Sequence, residues 1–252
     1  MSELRGIYTL WLREVKRYAR ERSRLISSFI QPLLWLIIFG SGMRLALTGL
    51  SRMTYQEFIF PGIVGQTLLF TSMFMGISVI WDREFGFLKE ILVAPISRVS
   101  VFVGKMLGGS TDAVIQGSFV FVFSFLVAVH VGFDTFLFSL PIMLLITFGM
   151  VSIGLTIASL IESLESFGVI QTFVNLPLFF LSGALFPLSF FPPWLEWVSV
   201  VDPLTYGVDA LRTIILGQSW VPIHQLYYDI IALVAFDLGM IVVGTLIFGR
   251  TR

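Results

Sequence analysis

Six stretches of this chain run for about twenty residues or more almost without charge, the dimensions of a helix that crosses a bilayer. They lie at about 25–47, 58–81, 99–129, 136–161, 167–186 and 227–248. Lipid offers no partner to unpaired backbone N–H and C=O groups, so such runs form either helices or a closed barrel. Barrel strands alternate polar and apolar residues, and these runs do not. The chain therefore reads as all-α: a polytopic membrane protein, 1–252 as a single transmembrane domain with six transmembrane helices. Only 13% of its residues are charged, about half the share in soluble domains. A net charge of zero gives no electrostatic footprint for nucleic acid. The absence of cysteine excludes disulfides, thiolate metal sites and cysteine nucleophiles. The basic stretch before the first run is too long for a signal peptide, and no small-residue cleavage site closes that run, so the first span is expected to remain in the protein.

Basic residues fall unevenly between the runs. Arg5, Arg13, Lys16, Arg17, Arg20, Arg22 and Arg24 precede the first, Arg83, Lys89, Arg98 and Lys105 follow the second, and Arg250 and Arg252 follow the last. Only Arg44, Arg52 and Arg212 fall on the opposite side. The positive-inside rule makes the first side cytoplasmic, with both termini inside an inner membrane.

Three segments outside the spans carry further information. In 1–24, Leu4, Tyr8, Trp11, Val15 and Tyr18 recur at helical spacing with basic residues on the remaining face. That pattern predicts an interfacial amphipathic helix, its basic face toward anionic headgroups. In 82–97, Phe87, Leu88, Ile91 and Leu92 make an apolar helix face opposite Glu84, Lys89 and Glu90, and Pro95 ends the helix. An apolar face on a cytoplasmic loop has no lipid to cover it and reads as a docking surface. In 187–225, a segment too apolar for a free loop and too broken to span, two short helices meet at Asp202-Pro203, the N-cap and first turn of the second. Trp194, Trp197 and Tyr206 suit headgroup level. A re-entrant outer hairpin results, with Pro187, Trp194, Asp202, Pro203 and Tyr206 as candidate outer-gate residues.

Asp112 in the third run and Asp237 in the sixth are ionisable groups at membrane depth. Such groups face a bundle interior or water, so both are candidate pathway-lining residues, with structural hydrogen bonding as the alternative. Gly104, Gly108 and Gly109 read as points of close helix approach. Glu162 and Glu165 read as a solvated turn. His130 and His224 lie far apart without a third ligand at usable spacing, so no metal site is expected. No catalytic Ser/His/Asp set and no His-Glu-x-x-His pattern occurs. No phosphate-binding loop occurs either; Gly104-Lys105-Met106 lacks the first glycine and the hydroxyl residue. The chain is thus expected not to be an enzyme.

The loop Asp82-Arg-Glu-Phe-Gly-Phe-Leu-Lys-Glu-Ile-Leu-Val-Ala-Pro-Ile-Ser97 resembles the cytoplasmic signature of ABC type-2 permeases at Glu84, Gly86, Glu90, Leu92, Pro95 and Ser97. The stretches Leu181–Pro187, Val201–Gly207 and Leu211-Arg212 resemble that family's second signature. The resemblance covers the whole chain. It implies the permease subunit of an ATP-driven exporter, working as a homodimer of two permease copies with two separate P-loop ATPase subunits. ATP and magnesium would sit on those partners and no cofactor on this chain. It also implies that 82–97 is the coupling helix, with Glu84, Gly86, Phe87, Leu88, Lys89, Glu90, Leu92 and Pro95 at the ATPase interface. The cargo it implies is a drug or lipid moved outward, or alternatively a polysaccharide or lipid-linked glycan. A scaffold or channel without ATP coupling is the more remote alternative, and it leaves the apolar face of the loop unexplained.

Overall fold

The computed structural model describes residues 3–42, 54–87, 96–127, 129 and 131–249, and every regular element among them is helical. The helices are α1 (Glu3–Arg20), α2 (Arg22–Gly42), α3 (Tyr55–Phe74), α4 (Gly76–Glu84), α5 (Arg98–Val122), α6 (Phe133–Leu160), α7 (Leu164–Leu181), α8 (Pro193–Val201), α9 (Pro203–Leu216) and α10 (Leu226–Phe248). Their starts are written in the sequence. Thr54 and Glu57 form a reciprocal capping box on α3. Ser97, Ser163 and Asp202 cap α5, α7 and α9 through their side-chain oxygens.

Five helices among the described residues are long and apolar enough to cross a membrane: 55–84 as one unit interrupted at Met75, then 98–125, α6, α7 and α10. The expected first span corresponds to α2, whose described apolar stretch, Ile30–Gly40, is shorter. This is a polytopic all-α membrane protein. The α3–α4 unit is its axis, with 83% of its apolar window buried. Phe58, Ile63, Leu68 and Met73 meet Met143, Ile146 and Met150 of α6 and Leu204 and Val208 of α9 there. Backbones approach closely at this centre. A Cβ on Gly154 of α6 would sit 2.7 Å from the Met73 carbonyl oxygen, the small-residue contact typical of helices packed in lipid. By contrast, only 17% of the corresponding windows of α7 and α10 is buried. Their outward apolar faces remain for lipid or another subunit.

The bundle has two ends. At the near end α4 finishes, α5 begins and α1 lies alongside. At the far end α3 begins, and α8 and α9 form a helical hairpin at the broken segment before α10. Two local expectations change. The stripe Leu4–Tyr8 of α1 faces outward, Leu4 being 77% exposed. Gly6, Leu10 and Glu14 pack on the protein together with Tyr18 of the expected apolar face, while its Trp11 and Val15 are half-buried. Lys105, counted among loop charges, lies two turns inside α5 and is fully buried.

Candidate functional site

The near end is held by charge. Lys105 Nζ donates to Asp82 Oδ2 at 2.5 Å, to Ser78 Oγ at 3.1 Å and to Glu14 Oε1 at 3.2 Å. Arg13 closes the cluster bidentately, its two terminal nitrogens 2.6 and 3.1 Å from the Asp82 oxygens. Burial opposes the charge on Arg13, but its hydrogen bonds to Asp82 and the charges of Asp82 and Glu14 outweigh it and raise its pKa. Two cations and two carboxylates drawn from α1, α4 and α5 thus form one compensated set. A charge at this depth is tolerable in that form and costly alone.

The same three elements are tied at other points. Trp11 Nε1 donates to Thr111 Oγ1 of α5 at 3.0 Å. Glu3 accepts from the Ser97 amide and hydroxyl and from the Ser100 hydroxyl, which together hold its carboxyl below the usual range. Gly104 and Gly108 of α5 let α1 lie close, as expected of them. A Cβ on Gly108 would fall 2.6 Å from the Glu14 Cβ. Arg83 donates to the carbonyls of Ile161 (2.8 Å) and Ser159 (3.3 Å). It thereby neutralises the C-terminus of α6.

This cluster borders the expected docking loop. Glu84 is the exposed last residue of α4, and Gly86 follows at φ +74°, a left-handed conformation that ends the helix. Phe87 is 39% exposed, and the Arg13 guanidinium lies over its ring at 4.2 Å from the centroid. The remaining loop residues singled out above, Leu88, Lys89, Glu90, Leu92 and Pro95, lie outside the described residues. Asp112 of α5 is buried beside a cavity of about 20 Å³, shared with Glu14, Tyr18, Met75 and Ser78. Asp237 of α10 is buried with its carboxylate against Gly149 of α6. The two aspartates have different neighbours.

At the far end the residues of the broken segment sort into two kinds. Trp194 and Trp197 of α8 are 66% and 76% exposed. Pro187, Asp202 and Pro203 are buried. Asp202 Oδ1 accepts the Leu204 amide at 2.9 Å, as its N-cap role demands, while Oδ2 has no hydrogen-bond partner. Burial pushes this carboxyl up to about 8. The Tyr206 hydroxyl donates to the Val200 carbonyl at 2.7 Å and fastens α9 to α8.

Arg212 holds this end together. It is fully buried and donates to the carbonyls of Phe58 (3.3 Å), Gly183 (2.7 Å) and Ala184 (3.0 Å), with its guanidinium over the rings of Phe58 and Trp220. One side chain thereby joins α3, the turn after α7 and α9. The fold also gathers Asp209, His224 and Asp229, which sequence reasoning left apart. Sequence reasoning missed both the Lys105 cluster and Arg212. The available signal was a lysine and an arginine in otherwise apolar runs, where an ionisable residue implies a partner.

The ABC-2 type transporter family model matches residues 5–216, which run from within α1 through the near-end cluster and the 82–97 loop to the end of α9. A putative transport permease, ycf38, of Cyanophora paradoxa is 32% identical over 98% of this chain and 89% of its own. The inner membrane transport permease YadH of Escherichia coli K12 is 24% identical over 92% of both chains. Nodulation protein J of Rhizobium leguminosarum bv. trifolii is 26% identical over 80% of this chain and 77% of its own. With a helical bundle built to cross the bilayer and a family match running from its first helix to its far-end hairpin, the chain belongs to the ABC-2 type transporter family and is a membrane transport permease subunit.

Proposed function

We propose that this subunit exports an amphipathic or hydrophobic cargo, a drug or a lipid, outward across the inner membrane. A separate ATPase supplies the energy at segment 82–97. In this reading both termini are cytoplasmic and the near end faces the ATPase. Two copies of the chain pair, each engaging one ATPase that carries its own ATP and magnesium. Glu84, Gly86, Phe87, Leu88, Lys89, Glu90, Leu92 and Pro95 form the docking surface. The observation that carries the reading is the continuity from loop to spans. Phe87 lies under Arg13, Arg13 grips Asp82, and Asp82 and Glu14 share Lys105. A push on the loop is thereby delivered to α1, α4 and α5 as one body rather than dissipated in a slack linker.

At the far end Trp194, Asp202, Pro203, Tyr206 and Pro187 serve as the outer gate in this reading. Asp112 and Asp237 are its polar points along the path. The experiment is co-purification of the tagged chain in mild detergent from its native operon, compared with Phe87→Asp, Leu88→Asp and Glu90→Arg. A P-loop ATPase should accompany the wild type and be reduced at least about tenfold in the loop variants, a change of about 1.4 kcal/mol, with thermal stability preserved. Full retention by all three variants would move the interface elsewhere.

A further inference from the structure

Three groups converge where α9, the 217–225 connection and α10 meet at the far end. His224 Nδ1 lies 3.5 Å from Asp229 Oδ1 and 3.9 Å from Asp209 Oδ2, and the ligand atoms of all three fall within 4.8 Å of one another. Around a zinc ion with ligands at about 2.0–2.2 Å, tetrahedral neighbours stand about 3.4 Å apart. The two distances from His224 Nδ1 are therefore within about 0.5 Å of that spacing before any ion draws the carboxylates in.

The chemistry of the three residues is unlike that of a packing cluster. Asp229 is fully buried, and neither of its carboxylate oxygens has a hydrogen-bond partner. His224 Nδ1, pointing at the carboxylates, has none either. A buried carboxylate left so costs several kcal/mol as an anion and is ordinarily met by a cation. Among the described residues no lysine or arginine lies within ion-pair distance of Asp209 or Asp229. Arg212 is near enough for its charge to attract Asp209, but it makes no ion pair there, and its Nε and Nη2 donate to three backbone carbonyls. Asp209 differs from Asp229 because it is oriented from outside. Trp220 Nε1 donates to its Oδ1 at 2.8 Å and the His224 amide to its Oδ2 at 2.9 Å. Such supporting hydrogen bonds hold a ligating carboxylate in place. The Tyr206 ring lies against the imidazole at 5.2 Å between centroids and fixes its plane. His224 is also the exposed member, 32% accessible, and leaves a route for an ion to enter.

We infer that Asp209, His224 and Asp229 bind a divalent transition-metal cation of the zinc type. One imidazole nitrogen and two carboxylates suit zinc better than calcium or magnesium, which take oxygen ligands only. The bound ion fastens the 217–225 connection and the first turn of α10 to α9, so metal availability sets how firmly the far end is closed.

The test uses full-length protein carrying a tag without histidine, stripped with EDTA and dialysed in detergent. Saturating Zn²⁺ should raise the unfolding temperature by about 5–10 °C. The rise should be lost in Asp229→Asn and His224→Gln and kept in His130→Gln, which alters the only other histidine. Co²⁺ added to the stripped wild type should give visible absorption bands that Zn²⁺ abolishes, a readout that needs no variant to fold. Absence of both the Zn²⁺ response and the Co²⁺ bands would overturn the proposal, as would a Zn²⁺ response that survives in both site variants. A rise produced by Ca²⁺ but not by Zn²⁺ would overturn the zinc-type assignment. Stabilisation by acid in EDTA that depends on His224, with no metal response, would assign the cluster to a proton instead and overturn it equally.

Discussion

A lysine two turns inside an apolar helix is costly unless its charge is met, and at Lys105 it is met by Asp82, Glu14 and the Ser78 hydroxyl. Lys105→Met would leave two buried carboxylates with only Arg13 between them. The expected cost is about 3–5 kcal/mol, the usual penalty for breaking a buried pair from one side. Arg13→Met should cost less, because its side chain is 29% exposed and water takes over part of its role. Thermal unfolding in detergent ranks the two; equal losses would mean that the set behaves as a surface patch. Asp202 makes the opposite case. Its folded pKa of about 8 lies above the ordinary value of about 4. Between those limits the folded protein holds a proton that the unfolded chain has released, so stability falls as pH rises from about 4 to 8. Asn caps a helix as well as Asp. Asp202→Asn should therefore flatten that dependence and raise the unfolding temperature at pH 8, by about 2–4 °C for each kcal/mol recovered. The two sites also differ in how far the sequence announced them. Asp202 stands beside Pro203 and could be read as a cap from two adjacent letters. Glu14 and Lys105 are 91 residues apart, and no local pattern links them.

At the level of elements, caps and apolar runs were legible and close approaches mostly were not. The expected spans end within a few residues of α3–α4, α6 and α10, because helix starts and hydrophobic length are local properties. The fifth run was extended to residue 186, but α7 stops at Leu181, because the following turn, with Gly183 at φ +71°, presents its carbonyls to Arg212. That is a tertiary demand, invisible in the run itself. The same turn bears on α3. A Cβ on Gly62 would collide with the backbone of Ala184, whose carbonyl already accepts from Arg212. Gly62→Ala should destabilise by about 1–3 kcal/mol, since backbone cannot give way as a side-chain tip can. Gly168→Ala on α7, where the added carbon meets nothing within 4 Å, should be neutral or stabilise by up to about 1 kcal/mol. Paired melting curves check both, and a comparable loss at Gly168 would mean that α7 packs more tightly than its exposed face indicates.

On the scale of the whole molecule the chain has a near end tied by charge and an aromatic far end pinned by Arg212. Composition and loop charge could place the two ends but not connect them. If the near end transmits force, separating α1 from α5 should uncouple transport without releasing the ATPase. Gly108→Leu drives a side chain into Glu14, and Trp11→Phe removes the hydrogen bond to Thr111 together with one ring of the indole. Both should leave the ATPase bound, and Gly108→Leu should lower transport about tenfold, equivalent to about 1.4 kcal/mol of lost coupling. Loss of the ATPase in both would instead make α1 part of the docking surface. The Lys105 cluster also fixes an order of events during synthesis. Glu14 and Asp82 precede Lys105 in the chain by 91 and 23 residues, so they are synthesised roughly 5–18 s and 1–5 s before the lysine. A nascent chain that inserts from its N-terminus presents the lysine with waiting acids. A version permuted to make the lysine first would present that cation before either acid exists, and slower membrane insertion of that version than of the natural order is the expected outcome.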